Sequence, residues 1–96
     1  MKTTATYDLN DEQQLARLAS ALNSTVRRKM LRLLAENRYS VMGLAKILNL
    51  SISTTAFHLK FLKDAGLVTV LPNPNKKGNE KNVSQGLASI TLNLRA

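Results

Sequence analysis

The sequence predicts a mainly helical domain finished by a small antiparallel β-sheet, and three observations predict it. Apolar residues recur at helical spacing in four successive segments between Asp11 and Ala65, each preceded by residues of the N-cap type. After Gly66 the period changes from helical to alternating, first at Val68-Thr69-Val70 and later at Ser89-Ile90-Thr91-Leu92-Asn93-Leu94. The chain has 96 residues, 44% hydrophobic but only 4% aromatic. That is one domain, with a core built on Leu, Ile, Val, Met and Ala.

Taken in order, residues 1–9 show no clear period and are expected to form a flexible arm, with the folded domain spanning 10–96. Asn10 offers an N-cap with Gln13 three residues on. Asp11 and Glu12 then suit the positive end of a helix dipole, and Leu15, Leu18, Ala19 and Leu22 set a first helix over about 11–22. Asn23-Ser24-Thr25 interrupts it. Val26, Met30, Leu33 and Leu34 carry a second helix over about 24–36, with Arg27, Arg28, Lys29 and Arg32 on its other face. Ser40 caps a third helix, 41–48, which turns Leu44, Ile47 and Leu48 inward and ends at Asn49, a residue that tolerates the left-handed conformation. Ser51 caps a fourth, 52–65, closed by Gly66. Two short helices across so tight a turn make a helix-turn-helix. Pro72 to Asn82 is a loop, 81–85 a further candidate strand, and Ser89 to Leu94 a half-buried strand, so strands and loop together occupy about 67–94.

On a helical wheel Ile52, Thr55, Leu59 and Leu62 form one inward stripe of the fourth helix, while Ser53, Thr54, Phe57 and Lys60 fall away from it. His58 and Phe61 lie on a flank, where a following hairpin would cover them. Short hydroxyls let a helix end approach a groove and hydrogen-bond base edges or phosphates. The free amides of a first turn favour phosphate. The formal charge of +8, from 14 Lys and Arg against 6 Asp and Glu, points to a polyanionic partner. The pI of about 10.3 agrees with that.

Other classes are excluded on the residues. With no Cys there is no disulfide, thiolate zinc site or thiol nucleophile, and one His with scattered carboxylates builds no transition-metal site; neither metal nor other cofactor is expected. No apolar run approaches the roughly 20 residues of a membrane span, so the expectation is a soluble cytoplasmic protein without a membrane partner. Ser53, His58 and Asp64 share one helix at offsets that keep them apart, so an enzyme is not expected. RNA recognition relies on aromatic platforms, for which two Phe and two Tyr are few.

The stretch LAKILNLSISTTAFHLKFLKDAGLV, from Leu44 to Val68, resembles the winged helix-turn-helix of the arsenic-repressor-like (ArsR-type) transcription regulators. Leu44-Ala45, the turn at Asn49-Leu50, the hydroxyl-rich Ser51 to Thr55, His58-Leu59 and Ala65-Gly66-Leu67-Val68 carry the likeness, with ALNSTVRRKMLRLLAEN upstream resembling the preceding helix. The resemblance implies a sequence-specific regulator that binds double-stranded DNA as a homodimer on an inverted repeat, recognition helix in the major groove and β-hairpin wing on the backbone. It assigns Ser51, Ser53, Thr54, Phe57, His58 and Lys60 to the recognition helix, and Ser40, Lys76, Lys77 and Lys81 to backbone contacts from the third helix start and the wing. Phe57 is left between a thymine methyl and packing on a partner chain or an absent domain.

Three departures qualify what the resemblance implies. The metal-sensing members' Cys-x-Cys is replaced by Tyr39-Ser40-Val41-Met42, so metal sensing does not carry over and the effector is unknown. Gly43 stands where an acidic residue is common, leaving Arg27 between structural packing and phosphate. No further helix follows the last strand, so either the first helix carries dimerisation or the sequence is the DNA-binding part of a longer regulator. The rival function is a winged helix used for protein contact, which would show an apolar rather than a basic surface.

Overall fold

The computed structural model describes residues 3–72 and 81–95. Its elements are β1 (Thr3–Asp8), α1 (Glu12–Leu22), α2 (Thr25–Glu36), β2 (Tyr39–Ser40), α3 (Val41–Leu48), α4 (Ile52–Asp64), β3 (Thr69–Pro72), β4 (Lys81–Ser84) and β5 (Leu87–Asn93). The four helices fall where their periodicity puts them. Each begins on a side-chain cap: Asp11, Ser24, Ser40 and Ser51 accept from the backbone N–H groups of Gln14, Arg27, Gly43 and Thr54. The first cap lies one residue beyond the expected Asn10–Gln13 pair. Asn10 is used in the preceding turn, where its N–H donates to the Asp8 carboxylate, and Gln14 Oε1 reaches back to the Asp8 N–H at 2.8 Å.

Helices α3 and α4 end in the same way. Asn49 at φ 57° and Gly66 at φ 78° are left-handed, and the N–H groups of Leu50 and Leu67 reach back to the carbonyls of Ala45 and Leu62, both at 2.9 Å. These bonds take up carbonyls that a helix end otherwise leaves unpaired. They also turn the chain sharply enough that only Asn49, Leu50 and Ser51 separate α3 from α4.

The core gathers Leu18 and Ala21 of α1, Met30 and Leu34 of α2, Val41 and Leu44 of α3, and Leu59 and Leu62 of α4, closed by Tyr7, Ala65, Leu67, Val68 and Val83. Thr55, fully buried beside them, satisfies its hydroxyl by donating to the Ser51 carbonyl at 2.8 Å. Three apolar assignments are corrected. Val41, Leu44, Ala45 and Leu48 make the i, i+3, i+4, i+7 stripe of α3, which leaves Ile47 off it and 53% exposed. Ile52, the first residue of α4, projects past the cover of α3 and is 41% exposed. In α1 it is Ala21 that turns inward, while Ala19 stays exposed.

The antiparallel sheet has three strands in the order β2-β4-β3. Val83 at its centre is fully buried between Tyr39 and Val70. Pro72, which has no N–H to give, closes the edge strand β3. Two expectations change here. Residues 3–8 are not a free arm but strand β1, whose threonines and alanine alternate too weakly to announce a strand. And β5 leaves the antiparallel sheet to pair with β1 in parallel, Ala5 beside Ile90, Tyr7 beside Leu92 and Asp8 beside Asn93. Tyr7 anchors this ribbon: its hydroxyl donates to the Ala65 carbonyl at 2.6 Å, and burial raises its phenol above the ordinary range.

Candidate nucleic-acid interface

The start of α4 is a knot of hydroxyls. Ser51 Oγ accepts from the Thr54 N–H at 3.0 Å, donates to Thr54 Oγ1 at 2.9 Å and meets Ser53 Oγ at 3.2 Å. Ser51, Ser53, Thr54, Phe57 and Lys60 are all exposed. Ser53, Phe57 and Lys60, spaced four and three apart, make one stripe along the side of the helix opposite Thr55, Leu59 and Leu62. The stripe is therefore short donors and acceptors at the tip, one aromatic ring behind them, and one ammonium behind that.

The ring is held in place. Phe57 stands edge-on to Phe61, centroids 5.1 Å apart, and to His58 at 5.5 Å. The guanidinium of Arg27 lies 4.4 Å from the centroid of the Phe61 ring. Arg27 is a buried node: Nε and Nη2 donate to the Ser20 carbonyl at 3.0 and 2.6 Å, Nε also to Ala21 at 3.3 Å, and Nη1 to His58 Nδ1 at 3.0 Å. Arg28 adds a bond to the Leu22 carbonyl at 2.6 Å. Two cations from the first turn of α2 thus close the negative end of α1. This assigns Arg27 to packing, and its partners are carbonyls, His58 and the Phe61 ring rather than the acidic side chain missing at Gly43.

His58 is placed by the same node. Because a guanidinium only donates, Nδ1 must accept and the neutral ring carries its proton on Nε2. Burial, and next the charge of Arg27, hold its pKa below the ordinary 6.5. His58 is half-buried and turned toward α1 and α2, not onto the free stripe with Ser53 and Lys60. The expected cover for His58 and Phe61 was the hairpin; the cover found is Arg27, because α1, α2 and α4 meet on that flank.

On the opposite flank a groove runs between α4 and the antiparallel sheet. Its floor is Val41, Ala56, Leu59 and Val70, and Lys60, Lys63 and Lys81 rim it. Lys81 opens β4 and is exposed. Lys63 was not singled out in the sequence, although its place three residues after Lys60 marks it as a neighbour on the helix surface. Ser40 is held in place at the start of α3, its Oγ accepting from the Gly43 N–H at 2.9 Å. Lys76 and Lys77 lie outside the described residues. The structure therefore brings Ser51, Ser53, Thr54, Phe57 and Lys60 to one surface with Lys81 beside it, and sets His58 behind that surface. Among the described residues no cluster of three or more His, Asp or Glu is placed to hold a metal ion, and no helix is long and apolar enough to cross a membrane.

Comparison with known proteins agrees with this geometry. Residues 24–70 match the family of bacterial regulatory proteins, arsR family. No curated protein sequence matches the chain. Among solved structures, a possible transcriptional regulatory protein from Mycobacterium bovis (fragment 1–100) is 27% identical, covering 78% of this chain and 76% of its own, with a TM-score of 0.66. A solution structure of a homodimeric winged helix-turn-helix DNA-binding domain from the same organism, a possible ArsR-family regulator, is 27% identical over 78% of this chain and 66% of its own, at 0.65. An ArsR-like transcriptional regulator from a Rhodococcus species is 25% identical over 80% of this chain and 67% of its own, at 0.68. The matched segment runs from the Ser24 cap through α4 to Val70, and the whole fold is similar to that of the winged helix-turn-helix domains of ArsR-family regulators.

Proposed function

We propose that this domain binds double-stranded DNA sequence-selectively, with the N-terminal half of α4 in the major groove, the β3–β4 wing against the backbone, and two copies on an inverted repeat. It acts in the cytoplasm. The observation that carries the reading is the free stripe of α4: Ser53, Thr54, Phe57 and Lys60 are exposed while the flank behind them is fixed by Arg27, Phe61 and His58. A helix that reads bases must be rigid in its mounting and small at its tip, and this one is both. Lys60, Lys63 and Lys81 beside the stripe suit phosphates, which position without specifying. In this reading Ser51 and Ser40 keep their helix ends presented, and Lys76 and Lys77 join the backbone contacts. The homodimeric state of the Mycobacterium bovis domain supports the two-copy arrangement.

Selection of bound sites from random duplexes tests the reading. Ser53→Ala with Thr54→Ala is expected to relax preference at one or two base positions, by about 1–3 kcal/mol for each hydrogen bond to a base that the substitution removes. An unchanged preferred site would mean that another surface reads the bases. Lys60→Gln with Lys81→Gln is expected to weaken all duplexes alike and to flatten the fall of affinity with salt, by about one in the log–log slope per phosphate neutralised. The protein-contact reading draws on Phe57, 58% exposed, and predicts association that salt leaves nearly unchanged.

A further inference from the structure

We propose that the β1–β5 ribbon is the surface on which two copies of this chain join, through antiparallel pairing of β5 with β5 of the second copy. This names an interface for the two-copy part of the reading above and rests on that part alone. Four observations converge. First, β5 has a free edge. The Leu9 N–H donates to the Asn93 carbonyl at 2.9 Å, so Asn93 turns its backbone groups toward β1. Alternation along the strand then points Thr91 and Ser89 the same way, and Ile90 and Leu92 outward. Among the described residues no strand lies beyond them. A two-stranded parallel ribbon is marginal alone, and such an edge is a template for a further strand.

Second, the ribbon has an apolar face that its own domain only half covers. Ile90 and Leu92 share the face of Ala5 and Tyr7, yet they are 39% and 44% exposed; Leu9 at 42% and Leu94 at 64% extend the patch. Third, β5 is self-complementary. A two-fold axis at Thr91 sets Ile90 against the partner's Leu92 and Ser89 against the partner's Asn93, keeping apolar beside apolar and polar beside polar, as a closed dimer requires. Fourth, charge favours this side. The chain carries +8, but β1 and β5 contain no Lys or Arg, and their one charge is Asp8. Two copies meet here with the least repulsion.

The alternative surface, the outer side of α1, shows Glu12, Gln13, Ala16, Arg17, Ala19 and Ser20 and no large exposed apolar residue. Tyr7 also ties the ribbon to the C-terminal end of α4. The DNA-reading tip is 13 residues away, about 20 Å along the helix, so pairing of β5 leaves it free.

Sedimentation of the whole chain over a concentration series tests this, together with amide exchange at low and high concentration. The wild type is expected to form a dimer, with the Ile90 and Leu92 amides more protected as concentration rises. Leu92→Pro removes an outward N–H and spares the bonds to β1; Ile90→Lys places like charges across the axis. Each is expected to be monomeric where the wild type is dimeric, with helical circular dichroism retained, while Ile47→Lys on α3 leaves the dimer intact. A wild type that stays monomeric, a dimer without concentration-dependent protection of Ile90 and Leu92, or a dimer that survives both β5 variants while Ala16→Glu abolishes it, overturns the proposal. Exchange on the wild type decides the matter even if a variant fails to fold. Binding to a duplex holding one half-site keeps the two readings separate. The monomeric variants are expected to bind it like one wild-type subunit, and failure of the wild type to bind any duplex counts against the DNA reading alone.

Discussion

Arg27 shows how one side chain sets the posture of another element. It binds two carbonyls of α1, the ring nitrogen of His58 and the face of Phe61, and Phe61 in turn steadies Phe57. Lysine reproduces the charge but not the planar fork. Arg27→Lys is expected to cost about 1.5–3 kcal/mol in urea unfolding, the range for hydrogen bonds to charged groups. His58 adds a pH dependence of definite sign. Its folded pKa lies below the ordinary 6.5, so the unfolded chain binds the proton more readily. The stabilisation is complete above the ordinary value and is lost as pH falls through the lowered one. Urea midpoints measured from about pH 7.5 down to pH 5 should therefore decline on the acid side, and His58→Asn, which keeps an acceptor near the Nδ1 position, should remove that part of the decline. Packing for Arg27 and a structural hydrogen bond for His58 were legible in the sequence as roles, but their partners were not, because the carbonyls of Ser20 and Ala21 come near only through the packing of α1 on α2.

At the scale of the element, ends and exposed stripes were the readable part. Ser40 and Ser51 as caps and Asn49 as a left-handed stop stand where the pattern puts them, since capping is a local matter of a side chain and the next turn. The exposure of Ser53, Thr54, Phe57 and Lys60 was readable for the same reason: helical spacing fixes which side a residue takes. Asn49 also allows a clean test. An alanine there faces the left-handed penalty of roughly 1–2 kcal/mol, which asparagine partly escapes and glycine does not meet. Asn49→Ala should lower stability by about 1 kcal/mol and Asn49→Gly by far less, as thermal unfolding would show. The partner of a strand is harder to read than its faces. Alternation in Ser89 to Leu94 declares two sides, but nothing in those six residues says whether the neighbour is β4 or a segment more than eighty residues earlier. The lysines of the groove were hard to read for the same reason, since Lys63 and Lys81 come together only through the packing of β4 near α4.

For the molecule as a whole, net charge was evident from composition, whereas its division into a lysine-rimmed groove and a ribbon without Lys or Arg was not. The ribbon hangs on Tyr7. Tyr7→Phe deletes a buried 2.6 Å bond and leaves the Ala65 carbonyl without that donor. A loss of about 1 kcal/mol is expected, with faster amide exchange confined to β1 and β5 while α2 and α3 keep their protection. The register of that ribbon also dictates an order of events. The hydroxyls of Thr4 and Ser89 meet across 85 residues of chain, whereas the helix-turn-helix is assembled from neighbours. Closing so long a loop is entropically late, and it is rewarded only once the surface it closes on exists. On a ribosome, β1 is made first and β5 after every other described element. Newly made β1 must wait unpaired for its partner, and in that interval a β5 strand from another copy competes for the same place.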